Sequence, residues 1–239
     1  MNKTREVVLD TETTGLDPVT VTNPDGHKII EIAGIELIDH IPTGEEFHVY
    51  IDPKRDVPEA SVKIHGITKE FLSGKPQFKE IEDELYSFLQ GSTLIIHNAE
   101  FDIKFLEAET SLEKQDKLQI LKQNTIDTLK LARKKRPDLR SHSLDNLGEK
   151  LEIDMTGREN YHGALIDCHI LAGIYYELIH GQKQKKMFDD QSSTETLPKT
   201  TQSHSILRQK NLNARITEEE LNRHKNFISS INGEKNWNY

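Results

Sequence analysis

The chain has 239 residues, enough for one sizeable core or for one domain with a tail. Hydrophobic residues make up 34% and charged residues 30%, and no apolar run approaches the roughly 18 residues of a membrane span, so a soluble protein with no membrane partner is expected. A formal net charge of −9 is the wrong sign for gripping phosphate backbones by counterion release alone, so any nucleic-acid ligand would need cations held in the site or a partner.

Met1 leads into a charged segment without an apolar signal core, which argues against secretion. Three stretches, "EVVLDTE", "KIIEIAGIELI" and "EFHVYID", run or alternate apolar residues and are separated by the turn signals "NPDG" and "IPTGEE". They predict three consecutive strands in an antiparallel meander. "KEIEDELYSFLQG" then places Ile81, Leu85, Phe88 and Leu89 on one helical face and stops at Gly91. A fourth strand, "TLIIHNA", is followed by the helical "EFDIKFLEAE", with Asn98 as its N-cap. "TIDTLKLARKKRP" passes from a short strand into a helix closed by Pro137. "SLDNLGEKLEI" and "GALIDCHILAGIYYELIHG" are two further helices, the last with a stripe through Leu165, His169, Ala172 and Tyr176. Strands first, then strands alternating with helices, imply an α/β domain over residues 1–181, with a mixed sheet covered by helices. The single cysteine, Cys168, cannot close an internal disulfide, which fits a reducing cytoplasm, and it reads as a small apolar side chain in helix packing rather than a reactive thiol.

Beyond that domain the composition changes. Asp189 to Ser205 carries one aliphatic side chain, Leu197, among small polar ones, so residues 182–205 are expected to form a flexible linker. In residues 206–239, "TEEELNRHKNFISSI" has a capping box from Thr217 to Glu220 and sets Leu221, His224, Ile228 and Ile231 on one face, with Trp237 just beyond. So short a helix is marginal alone, and it is expected to fold on a partner or, alternatively, to dock back on its own domain.

The chemistry lies in carboxylates placed where apolar residues belong. Asp10 and Glu12, two apart on a strand, share one face and can present oxygen ligands to a hard divalent cation, although Asp-x-Glu alone usually marks a solvated face. Asp102 falls in the first turn of a helix, where it could equally complement the dipole. Asp167 lies amid Leu165, Ile166, Ile170 and Leu171, with no ready partner unless it reaches a metal. His162 is five residues earlier, roughly 140° away if both were helical, and is better placed as a loop residue swinging over the site. Oxygen-rich ligation with no Cys or His cluster favours two Mg2+ or Mn2+ ions over zinc, with His162 as general base.

In this order and spacing, "LDTETTG", "HNAEFD" and "HGALIDCHILAGIY" resemble the three motifs of the DEDDh group of 3′–5′ exonucleases, and within it the proofreading subunits of bacterial replicative polymerases. The resemblance covers roughly Arg5 to Gly181 and returns in the tail. It implies a ribonuclease H-like fold, with a five-stranded mixed sheet flanked by helices. It also implies release of deoxynucleoside monophosphates from a single-stranded or frayed DNA 3′ end. Asp10, Glu12, Asp102 and Asp167 match the group's metal ligands and His162 its base. "PEASVKIHGIT" implies Glu59 and His65 beside the terminal nucleotide, where Asp10, Glu12, Thr13 and Asp167 would also touch substrate along with Thr14 and the backbone around Gly15. On residue chemistry alone Glu59 is a helix-start acid and His65 a turn residue, while His97 and Asn98 support strand and helix. "QKKMF", Gln184 to Phe188, resembles a sliding-clamp hook but carries Lys185 where an apolar residue is common, and the tail resembles the segment that binds the polymerase catalytic subunit. Two rival expectations remain: a free-standing enzyme of this fold that trims RNA or short oligonucleotides, and a non-catalytic polymerase adaptor.

Overall fold

The computed structural model describes residues 3–158 and 161–189, with side chains as far as 181. The three-strand meander is β1 (Arg5–Thr13), β2 (Ile29–Ile38) and β3 (Ile41–Tyr50); β4 (Thr93–Ile96) and β5 (Thr125–Asp127) complete a sheet of order β3-β2-β1-β4-β5. β1 pairs antiparallel with β2 and parallel with β4, and β4 parallel with β5, so the expected mixed five-stranded sheet is what forms.

Strand β1 is central, and Val7, Val8 and Leu9 are all fully buried because both faces of the sheet are covered. The period of two sorts them. Val7, Leu9, Leu94 and Ile96 face one core with α3 (Phe78–Leu89), α4 (Ala99–Glu109) and α5 (Gln115–Gln123). Val8 and Ile95 face the other, with α6 (Thr128–Lys135), α7 (Leu144–Lys150) and α8 (Ala164–Asp189). A Cβ on Gly34 in β2 would come within 2.9 Å of the Phe88 ring and 3.3 Å of Val7 Cγ1, so α3 approaches the sheet as closely as it does only over a glycine.

Several local expectations are corrected. Asn98 holds the N-cap position of α4 but in the left-handed region (φ 64°), and its side chain makes no capping bond, because asparagine tolerates that turn out of β4 and the turn turns its amide away. The buried face of α8 runs through Ala164, Asp167, Cys168, Leu171, Tyr175 and Leu178, whereas His169 is exposed and Tyr176 is 39% exposed. The stripe is rotated because two polar side chains, Asp167 and Tyr175, are buried for their partners. Asp167 also sits in the first turn of α8, not deeper in it. The segment after β3 holds two short helices that periodicity did not reveal, α1 (Glu59–His65) and α2 (Lys69–Leu72), and α5 was likewise unforeseen.

Cys168 is buried, with Sγ 3.4 Å from the Ala33 carbonyl oxygen, and burial pushes its thiol pKa up, as a packing residue requires. Among the described residues no helix is long and apolar enough to cross a membrane. Compact units fall at Met1–Ser193 and Thr194–Tyr239; the second, with the tail helix and Trp237, lies outside the described residues, as do the side chains of Gln184 to Phe188.

The Gly34 contact is testable. Gly34→Ala should cost about 1–3 kcal/mol in urea unfolding through overpacking, and Phe88→Leu in the same chain should recover part of it; additive losses would mean the two positions do not touch.

Candidate active site

The parallel pair β1 and β4 ends at one edge of the sheet, and the chemistry-bearing residues gather there. β1 carries Asp10 and Glu12 on the α8 side, and its register against β2 shifts between Glu12 and Thr13, a bulge that re-aims the strand at the point where it leaves the sheet. Thr11 points to the opposite side, and its Oγ1 donates to Asp102 Oδ1 at 2.7 Å. A single strand thus supplies two carboxylates on one face and, on the other, the hydroxyl that fixes a third. Asp167 reaches the cluster from the first turn of α8, its amide donating to the Gly163 carbonyl at 2.9 Å. His162, just outside that helix, is pinned by its own amide to the Ile64 carbonyl at 2.9 Å. Ligand atoms of Glu12, His162 and Asp167 lie within 4.8 Å of one another.

The electrostatics record the strain of this arrangement. Burial raises every carboxyl: Glu12 to about 8, Asp102 to about 7 and Asp167 to about 6. Asp10 is raised well above the ordinary range, first by burial, then by the charges of Asp102, Asp167 and Glu12. Glu12 is raised further by Asp167 and by Glu31, its register partner on β2. Glu31 is itself buried, its Oε1 2.7 Å from His48 Nε2 and its Oε2 without a hydrogen-bond partner.

One side chain opposes the repulsion, and no motif announced it. Arg158 is 7% exposed; its Nη1 donates to Asp167 Oδ1, its Nη2 lies 3.2 Å from His162 Nδ1, and its Nε lies 2.8 Å from Asp145 Oδ1, although that last contact is not aligned as a hydrogen bond. Asp167, expected to lack a partner without a metal, has this one. With Arg158 donating to Nδ1, His162 keeps its proton on Nε2, and burial together with the guanidinium lowers its pKa.

The other expected contacts divide. His65 is buried, with Nδ1 accepting from the Ile67 amide at 3.0 Å and Nε2 left without a partner; burial lowers its pKa to about 4, so the ring is neutral. The Thr13 backbone and His162 are both close enough to affect that titration. Thr13 is buried with Oγ1 on the Gly15 carbonyl at 2.6 Å, and Thr14 is fully buried, its Oγ1 3.0 Å from His27 Nδ1. The Thr14 hydroxyl is therefore committed inside the fold, as are its amide, which donates to the Lys28 carbonyl at 2.9 Å, and its carbonyl, which accepts from Ser61 Oγ at 3.0 Å, whereas the Leu16 side chain just beyond is 79% exposed. Glu59 is exposed at the start of α1, paired with Lys63 at 2.8 Å, and no contact among the described residues joins it to the cluster. His97, with its Nδ1 2.9 Å from Thr128 Oγ1, ties the end of β4 to the start of α6 and also lines the cleft.

A cleft of about 690 Å³ opens over the cluster, and its lining includes Asp10, His162, Asp167 and Arg158 together with Arg133 and Arg140. The donor set fits a hard divalent cation: it is oxygen-rich, its ligand atoms are close together, and its carboxyls are held above their ordinary pKa, first by burial. Buried acids converging with a histidine in a cleft define a hydrolytic class of site.

Residues 7–175 match the RNase_T exonuclease family, and the chain belongs to it. It is 45% identical over 233 residues to DNA polymerase III subunit epsilon of Rickettsia felis, covering 97% of this chain and 98% of that one. It is 46% identical over 183 residues to DNA polymerase III subunit epsilon of Escherichia coli strain K12, covering 75% and 73%. Among solved structures it is similar to exonuclease X in complex with 5′ overhanging duplex DNA, at TM-score 0.56 and 25% identity, covering 74% of this chain and 92% of that one.

Two outcomes follow for the metal-free protein. The raised carboxyls have folded pKa values above their unfolded ones, so the folded state binds more protons and loses stability as pH climbs through about 7 and 8. In EDTA the melting temperature should fall between pH 7 and 9, a window above histidine titration, and Asp10→Asn or Glu12→Gln should flatten the fall; an unchanged slope would refute the coupling. Arg158→Met breaks a buried pair and should cost about 3 kcal/mol in EDTA, a loss that millimolar Mn2+ reverses if cation and guanidinium serve the same carboxylates. Differential scanning fluorimetry reads both.

Proposed function

We propose that the chain is a proofreading 3′–5′ exonuclease of a bacterial replicative DNA polymerase, releasing deoxynucleoside monophosphates from frayed or single-stranded 3′ ends. The observation that carries it is the convergence of Glu12, His162 and Asp167 within 4.8 Å, beside Asp10, in a chain of the exonuclease family that aligns over 97% of its length with a polymerase subunit.

Asp10, Glu12, Asp102 and Asp167 are the side chains that would hold the cations. Bound there, two Mg2+ or Mn2+ ions would supply Lewis-acid polarisation of the scissile phosphate and offset the charge that builds on its oxygens. His162, neutral near pH 7, takes the proton of the attacking water. For that it needs a free lone pair, and with the proton on Nε2 the only lone pair is the one Arg158 occupies, so Arg158 must release Nδ1. Thr13 meets the terminal nucleotide through its backbone, and the His65 Nε2–H is a donor held without a partner. Glu59 takes part only after leaving Lys63.

Selection for mispaired ends follows from melting: a frayed terminus costs less to unpair and enters more readily. An acidic chain binds DNA weakly, and tethering offsets this through effective concentration. The tail, residues 206–239, is the segment that binds the polymerase catalytic subunit, and Gln184 to Phe188 is a candidate contact to the sliding clamp; the capping box and apolar face of the tail support the first.

Incubation with 5′-labelled single-stranded DNA and Mg2+ should yield a ladder of products shortened from the 3′ end. Asp10→Ala with Glu12→Ala should lower the rate at least about 10³-fold, and His162→Ala about 10²- to 10⁴-fold with loss of the rise in rate toward neutral pH. No ladder from the wild type with either Mg2+ or Mn2+ would refute the enzymatic reading.

A further inference from the structure

The cleft that holds Asp10 and Asp167 is also lined by Arg133 and Arg140, cations in a chain of negative net charge. From Lys130 to Arg140 there are six cations and one carboxylate, in a protein of net charge −9. Some of this charge is spent locally: Lys130 pairs with Asp127 at 3.4 Å, and Arg136 with Asp138 at 2.8 Å. Arg133 and Arg140 make no ion pair among the described residues, both are exposed, and both line the same cleft as Asp10 and Asp167.

A plain explanation exists for part of the run. Arg133, Lys134 and Lys135 occupy the last turn of α6, where cations complement the helix dipole. That accounts for a preference at the helix end; it does not account for Arg140, five residues past the helix, arriving at the same cleft as Arg133. Two unpaired guanidiniums facing one cavity repel each other, and a fork of planar donors is the group best suited to phosphate oxygens.

We infer that Arg133 and Arg140 form a track for the DNA backbone, binding phosphates of the strand on the 5′ side of the scissile bond. This rests on the exonuclease reading of the site and extends it. The direction follows from the substrate. A strand attacked at its 3′ end has nothing beyond the terminal nucleotide, so every further phosphate lies upstream, and the arginines line the same cleft as the carboxylates. The need follows from charge: an acidic surface repels the incoming strand, and a local positive rim converts that repulsion into guidance. Both contacts are to phosphate, so they position the strand without reading its bases.

The test compares two substrates of the full-length protein with Mg2+: a 5′-labelled oligothymidylate, and the p-nitrophenyl ester of thymidine 5′-monophosphate, which has one phosphodiester and no upstream phosphate. Arg133→Gln and Arg140→Gln should lower kcat/KM on the oligonucleotide several-fold more than on the ester, chiefly through KM. For the oligonucleotide, the steepness of log(kcat/KM) against log salt should shrink by about 0.7 for each arginine removed. Arg→Lys at either position should keep most of the salt slope. Equal losses on both substrates, or a salt slope indifferent to the arginines, would overturn the track while leaving the nuclease intact. Wild-type protein that cleaves neither substrate would overturn the nuclease reading and this inference together.

Discussion

The structure depends on one electrostatic constraint: several carboxylates share the end of a parallel strand pair where little water reaches them. Asp10, Glu12, Asp102 and Asp167 each carry a pKa raised first by burial, and their mutual repulsion adds to it for Asp10. A fold does not gather such groups for stability, because a hydrophobic isostere at any of these positions would be less costly. What surrounds them is a set of compensations. Thr11 donates to Asp102, Arg158 bridges Asp167 and His162, and both cores pack tightly on either side so that the sheet edge stays put. The interior strands bury mainly aliphatic side chains, and their other buried carboxylates, Glu6 and Glu31, are met by Tyr175 and His48.

Arg158 gives this balance a second aspect. Its guanidinium sits against two of the three residues whose ligand atoms converge, so it stands where positive charge is wanted. It also occupies the lone pair of the one neutral base in the cluster. One side chain therefore both relieves the acids and holds the histidine out of use, and the loop that carries it lies directly before His162 in the chain. On the proposed reading, cations held by the carboxylates would take over the role of the guanidinium and leave His162 Nδ1 free to act as base.

Legibility in sequence followed periodicity. The meander, the parallel strands and the pairing of Asp10 with Glu12 on one face all follow from a period of two, and the structure has them. The carboxylate argument was also sound in form, since a buried aspartate does need a positive partner; it named only a metal, because nothing in "TGREN" says where a loop arginine points. Phase errors on α8 have the same origin. A stripe drawn through apolar letters omits Asp167 and Tyr175, which are buried because Arg158 and Glu6 receive them. Glu6 is buried on β1, 2.7 Å from the Tyr175 hydroxyl, a contact spanning most of the domain that no local pattern encodes. Glu31 escaped notice for a related reason: within "KIIEIAGIELI" it reads as the polar phase of a strand, and only the register places it opposite Glu12.

The segment from Lys130 to Arg140 resolves what seemed a contradiction in the composition. An acidic chain is poorly suited to nucleic acid only if charge is spread evenly, and here it is not. Acids gather around Asp10 and Asp167, and two arginines without an ion pair among the described residues line the same cleft. Repulsion from the net charge is largely screened beyond a Debye length of about 8–10 Å, whereas contact is decided by the few charges inside it. On the proposed reading, the acidic surface offers DNA no attraction at a distance, and the two arginines lining the cleft act on phosphates only at contact. On that reading such binding is weak unless the DNA is already near, which suits an enzyme that must not degrade correctly paired ends: a tether to the polymerase would set the encounter, and the cleft would have only to take up an end that has come loose.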